Sequence, residues 1–291
     1  MRIGTDMREP DTMPADYLQQ ISQWQAQRLA DLLAPSGWLS LTGFGWLEPG
    51  DNRIGSAADN DIVFRHGPAH LGVVTLTASG EVWIRLPAGS DAKIDGSPVH
   101  EARLFDDAGI GKAPSVVSFG TASLFVIHRY GRKALRVKDE KAAGSVQFAG
   151  LDYFAVDPAW RVIADWVPFA TPYKLSLNRR LGSVSTVDVP GKARFRLHGR
   201  THTLLPYQEK SGGDLFFVLA DRTSGEETYD KARFLYAASP ADGKLVLDFN
   251  KAHNPPSAFT PYANCPIAPP ENALDVRVTV GEKRYRGHRG A

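Results

Sequence analysis

Two apolar runs in the second half of the chain each end in a carboxylate. Leu215–Ala220 leads into Asp221, and Leu245–Leu247 leads into Asp248. Such runs read as buried strands, and strand ends are where a rigid scaffold displays binding groups. Arg233 heads a third short run, Phe234-Leu235-Tyr236. Asn250, His253 and Asn254 follow Asp248, just before the stiff pair Pro255-Pro256. A guanidinium beside amide and imidazole groups suits an anionic or polar small molecule. The expected ligand-binding set is therefore Asp221, Arg233, Asp248, Asn250, His253 and Asn254, walled by Phe259 and Tyr262. A structural reading of the same residues stands beside it. In that reading Asp221 accepts backbone N–H bonds from the Thr223-Ser224-Gly225 turn, and Asp248 pairs with Arg233 to hold the loop.

Asp221, Asp248 and His253 also carry the groups of a small-molecule hydrolase or of a mixed carboxylate–imidazole metal site. Their spacing is not diagnostic, so no catalytic residue, metal or cofactor is assigned. The nucleophile elbow, the phosphate-cradling Gly/Lys loop and the dinucleotide fingerprint are all absent. His198 and His202 flank an expected Gly199-Arg200 turn, which puts them on opposite faces of the pleat and argues against a shared metal. Cys265 is the single cysteine, so neither an internal disulfide nor a cysteine-rich zinc site can form. Preceding a proline in an apolar loop, it reads as a buried, inert thiol, and Ser257 has no stronger case as a nucleophile.

The elements that must position these residues are mostly β. Short β-branched or aromatic runs separated by Gly, Pro, Asp and Asn recur at Trp38–Thr42, Gly72–Leu76, Glu81–Leu86 and Ser123–Ile127. The second half repeats the texture at Tyr173–Asn178, Lys192–His198, Thr201–Pro206, Leu215–Ala220, Lys244–Asp248 and Leu274–Val280. The last of these is expected to form a hairpin with Lys283–Arg286 across Gly281-Glu282. One helix stands out: Tyr17, Leu18, Ile21, Trp24, Leu29 and Leu32 recur at three- and four-residue steps between Pro14 and Leu33. Its polar face is mostly Gln, Ser and Asp, which suits packing on a domain rather than on a membrane surface. The expected organisation is a disordered leader over 1–13, then the helix with a β-sandwich over 14–137. A linker over 138–150 follows, then a second sandwich or barrel-like β domain over 151–291. Residues 250–272 of that domain carry six prolines and no periodicity, the mark of a functional irregular loop.

Residues 47–72 contain Ile54-Gly55, Asn60-Asp61-Ile62 and His70, with Asp95-Gly96 further on. This pattern resembles the start of a forkhead-associated domain, a β-sandwich that reads phosphothreonine. Ser56 stands where that family has its phosphate-binding arginine, and Pro68 or Ala69 where it has a serine. The resemblance thus implies the fold without the phosphate site, and Asn60, Asp61 and His70 as turn-stabilising residues. Residues 248–269 read Asp-Phe-Asn-Lys-Ala-His-Asn-Pro-Pro-Ser-Ala-Phe and then Cys-Pro-Ile-Ala-Pro. With the Gly37-Trp38-Leu39 and Ile54-Gly55-Ser56 segments, they resemble an uncharacterised prokaryotic family of unknown function. That family has a tyrosine where His253 stands and a cysteine where Ser257 stands, so a thiol pair is absent here. The resemblance implies membership of such a family and brings no activity.

The 34 basic and 32 acidic residues give a formal net charge of +2, with no basic run, so neither nucleic acid nor an anionic membrane is an expected partner. The N-terminal residues carry no apolar stretch of the kind a signal peptide has, and a cytoplasmic location is expected. The leading functional expectation is binding of a small polar or anionic ligand by the C-terminal domain, with the N-terminal sandwich as a docking module. The alternatives are a small-molecule hydrolase using Asp221, Asp248 and His253, and a protein-interaction module with a protein partner and no small-molecule site.

Overall fold

The structure is a computed structural model and describes residues 15–35, 37–109, 113–145, 148–208 and 213–287. The expected leader lies outside them. The chain clusters into two compact units. One takes the chain up to Leu29, Ala149–Ala258 and Asn264–Gly287; the other takes Ala30–Phe148 and Phe259–Ala263. The architecture is mostly β, with one long helix at the N-terminal end. That helix, α1 (Tyr17–Leu33), groups up to Leu29 with the C-terminal unit, not with the sandwich that follows it in sequence.

The N-terminal unit is built from β1 (Leu41–Trp46), β2 (Gly50–Gly55), β3 (Ile62–Val63), β4 (Gly72–Leu76), β5 (Val82–Arg85), β6 (Lys93–Ile94), β7 (Glu101–Leu104), β8 (Val116–Phe119), β9 (Ala122–Arg129) and β10 (Arg132–Asp139). They form two five-stranded sheets, in the orders β1-β10-β9-β8-β6 and β3-β2-β4-β5-β7. Alternation supplies the core between them. Ile54, Val74, Val82 and Ile84 of one sheet join Val117, Leu124, Val126, Leu135 and Val137 of the other in a single apolar cluster. Residues 140–145, expected as linker, form a short helix, α2 (Glu140–Ser145).

The C-terminal unit contains β11 (Arg161–Asn178), β12 (Val184–Leu197), β13 (Arg200–Leu204), β14 (Leu215–Asp221), β15 (Arg233–Ala237), β16 (Lys244–Asp248) and the short β17 (Ala273–Leu274). Its sheets run β13-β12-β11-β16 and β15-β14-β17. Both feed one core, in which Phe217, Leu219 and Leu235 meet Ala164, Phe195, Leu247 and Phe249. β14 is buried on nearly every residue, so its continuous apolar run marks a strand covered on both faces.

Two local expectations are corrected. The β12–β13 turn is His198-Gly199, with Leu197 opposite Arg200, one residue earlier than the sequence suggested. Beyond Leu274 the strand stops, and no hairpin crosses Gly281-Glu282. Instead Glu282 N donates to Ala252 O at 2.8 Å, and Glu282 bridges to Tyr153.

Candidate functional site

The residues singled out by sequence separate into distinct, internally bonded networks. At the end of β14, Asp221 pairs with Arg233 at 2.7 Å, and both side chains are essentially out of contact with solvent. Arg233 also donates to Val280 O (2.6 Å) and Val278 O (2.9 Å), while Asp221 Oδ1 accepts from Thr223 N and Oγ1 and from Val278 N. Burial pulls the guanidinium below its ordinary pKa, and Asp221 opposes this. The turn role of Asp221 is thus present, but its partner is Arg233, whereas the structural reading had paired Arg233 with Asp248. Arg233 spends its charge on the chain itself.

Asp248 belongs to a second network. It caps the turn after β16 by accepting from Asn250 N, and it accepts the Tyr17 hydroxyl of α1 at 2.8 Å. Asn250 donates to Asp157 O and accepts from Asp157 N, both at 2.9 Å, so its amide acts as a substitute peptide group. Its Nδ2 also reaches the Tyr17 oxygen. Burial, then Asp248, pushes the Tyr17 phenol pKa upward.

The third network centres on Glu282, a fully buried carboxylate that sequence reading placed in a turn. It accepts from Arg28 Nε of α1 (3.0 Å) and from Asn254 N (2.8 Å), and Asn254 Nδ2 donates to Lys283 O. Arg28 Nη2 completes the clasp on Asn254 O. Nothing in periodicity marks Glu282; the signal would have been an acid beside the glycine that closes the loop. His253 lies next to this network. Its ring sits against Trp24, Phe234 and Tyr236, and its Nδ1 is 3.0 Å from Lys251 O. Burial, reinforced by the Arg28 charge, pushes its pKa down to about 3, so the imidazole is neutral at pH 7.

No hydrogen bond or ion pair joins Asp221, Asp248 and His253 to one another, so the hydrolytic triad is not assembled by direct contact. Among the described residues no group of three His, Cys, Asp or Glu side chains is placed to hold a metal. Phe259 and Tyr262 lie in the segment that clusters with the sandwich. There Thr260 donates to Leu41 O, and burial raises the Tyr262 phenol pKa.

Accessible polar chemistry lies elsewhere in the C-terminal unit. Arg200 at the start of β13, Arg222 just after β14, and Arg277 surround a cleft of about 220 Å³, with His198 and His202 on its β12–β13 side. One carboxylate, Asp275, shares this lining and is contacted by both Arg200 and Arg222. Arg277 reaches out to Glu226 and Glu227. All of these ion pairs are exposed and screened by solvent, so they hold their partners weakly. His202 stacks on Phe195, and His198 meets the edge of Trp160.

In the sandwich, Asn60 Nδ2 ties Ala57 O to Ala69 O, and Asp61 clamps the main chain and guanidinium of Arg53. Ser56 Oγ donates to Gly67 O. Beside it Pro68, His70, Pro87, Asp91 and Phe119 line a cavity of about 440 Å³.

Residues 146–283, just under half of the chain, match the model of a family described as a protein of unknown function, DUF1684. A similar solved structure is the solution NMR structure of an uncharacterized protein from Haloarcula marismortui. It is 29% identical and covers 48% of this chain and 80% of that one, at a TM-score of 0.41. No curated protein matches the chain. The C-terminal half is thus similar to a family whose function is unknown. No helix among the described residues is long and apolar enough to cross a membrane.

Proposed function

We propose that the C-terminal unit binds an anionic ligand, and that its contact groups are Arg200, Arg222 and Arg277. The supporting observation is the cleft lining, where three exposed guanidinium groups converge, Arg200 and Arg222 sharing Asp275 while Arg277 leans on Glu226 and Glu227 outside the lining. Guanidinium forks recognise carboxylate or phosphate oxygens in pairs, which makes a small carboxylate or phosphate the matching chemistry. This keeps the expected ligand class and moves its site, because Arg233 is enclosed while these three are not. Calorimetric titration with citrate and with inorganic phosphate tests it. Binding should weaken at least tenfold in Arg200→Ser/Arg222→Ser and fall with added salt. An unchanged affinity in the double variant would remove the proposal.

The sandwich is read as a docking module of forkhead-associated type. Its support is the Asn60, Asp61 and His70 turn bracing around Ile54-Gly55, together with a loop-lined cavity beside Ser56. With Ser56 engaged on Gly67 O and no guanidinium in that lining, the module is not assigned phosphothreonine. A pull-down with a phosphothreonine peptide library should return no enrichment over unphosphorylated peptides; enrichment would overturn that assignment.

A further inference from the structure

We infer that the outer edge of β13 docks an extended acidic peptide as an added strand. The inference goes beyond the anion-binding reading above, because it uses the other face of the same hairpin and an extended ligand in place of a compact one.

The main chain of β13 provides the first argument. His198 and Gly199 have φ of 48° and 76°, and Leu197 faces Arg200, the geometry of a two-residue hairpin. In such a hairpin the pair beside the turn exchanges both backbone bonds, and later pairs alternate. Thr201 and Thr203 therefore direct their N–H and C=O groups away from β12. β13 is the terminal strand of its sheet, both threonines are exposed, and neither makes a backbone bond to another described residue outside the sheet. The open stretch has a defined end, because the Asn272 side chain closes on Leu205 N and O at 2.7 and 2.8 Å.

Charge supplies the second argument. Register places Arg196 beside Thr201 and Arg194 beside Thr203, and Lys192 continues the row on β12. The facing carboxylate is Asp165, which already holds Arg194 (3.3 Å) and Lys244 (2.6 Å). Lys192 and Arg196 make no ion pair with a described residue. Side chains two apart on a strand repeat every ~6.8 Å on one face. A strand added to β13 would carry its alternate side chains at that same repeat, one strand away from Arg194 and Arg196. Aspartate or glutamate at every second position is the complementary sequence, while Arg200, paired with Asp275, and His202, stacked on Phe195, lie on the other face. The cations run along the strand rather than converging on one point, so the row fits an extended partner. The competing reading is that the cations guard an edge against pairing.

The test uses the full chain and a labelled acetyl-Thr-Glu-Thr-Glu-Thr-Glu-Thr-amide probe, followed by fluorescence anisotropy. Expected is saturable binding, weakened at least tenfold by Arg194→Gln/Arg196→Gln. Gathering the three glutamates at adjacent positions should weaken it similarly. N-methylating alternate peptide amides should abolish binding in one frame and spare it in the other. If the alternating, gathered and both N-methylated peptides bind equally, or none binds while citrate still binds through Arg200 and Arg222, strand addition is wrong and the anion reading survives. If neither peptide nor citrate binds, both fall.

Discussion

Replacing Arg233 by methionine should destabilise the C-terminal unit severely while leaving anion binding at the β13 cleft unchanged. The guanidinium makes one bond to the Asp221 carboxylate and two to the carbonyls of Val278 and Val280, in a site closed to solvent. Methionine fills a similar volume but leaves Asp221 charged with only the Thr223 and Val278 donors. Breaking a buried pair from one side costs about 3–5 kcal/mol, because the remaining charge stays desolvated. Against a total stability of about 5–15 kcal/mol, that is a large fraction. Urea unfolding followed by tryptophan fluorescence should show it, since Trp160 and Trp166 lie in this unit. Adding Asp221→Asn to the variant removes the stranded charge and keeps an acceptor for Thr223 N, so it should recover about half of the loss. A single variant within about 1 kcal/mol of wild type would refute the buttress role. A normal unfolding curve combined with lost citrate binding would restore Arg233 as a ligand residue.

Tyr17→Phe removes one buried hydroxyl that serves both Asp248 and Asn250. It should cost about 1–2 kcal/mol in the same unfolding assay and speed amide exchange in α1. His253 titrates in the folded chain at about 3, below its unfolded value of ~6.5, so the unfolded state binds the extra proton. Its contribution is present above pH ~6.5 and lost as pH falls toward 3, with a slope of up to about 1.4 kcal/mol per pH unit. His253→Tyr should flatten that part of the stability profile between pH 7 and 5; an unchanged slope would contradict the assignment. Gly281 has φ +79°, and a Cβ there would press on Ala252 O, so Gly281→Ala should cost at least about 2 kcal/mol by thermal or urea unfolding.

Much of the scaffold was legible because periodicity reports burial. Gly72–Leu76, Leu215–Ala220, Lys244–Asp248 and the helix ending at Leu33 are found where alternation or helical spacing placed them. Of the strand Arg161–Asn178 only the Tyr173–Asn178 end was expected, since Pro168 and Pro172 interrupt the earlier pattern and four residues bulge between Pro168 and Tyr173. Leu274–Val280 looked like a strand from its alternate valines, yet it leaves the sheet after Leu274. Its carbonyls at Val278 and Val280 are taken by Arg233, and Val278 N by Asp221. A buried ion pair has replaced a ladder partner, which no local pattern can announce.

The same substitution explains why the polar motif looked like a binding site. An irregular segment of this length, packed inside a unit, exposes main-chain groups to an apolar interior, and each of them needs a partner. Asn250 answers Asp157, Asn254 answers Lys283, Asn272 answers Leu205, and Glu282 answers Asn254. Side chains dense in amide and carboxylate groups are what such a loop must contain if it has no sheet to pair with. A ligand site would require some of the same residue types, so composition alone cannot separate the two. Burial does: Arg233, Asp248, Asn250, Asn254 and Glu282 are all buried, while Arg194, Arg196, Arg200 and Arg222 stand exposed along the β12–β13 hairpin and the loop after β14. The residues placed to meet a partner are those whose guanidinium groups stand in solvent, even where a surface carboxylate holds them, and in this unit they gather on the β12–β13 hairpin and the loop after β14.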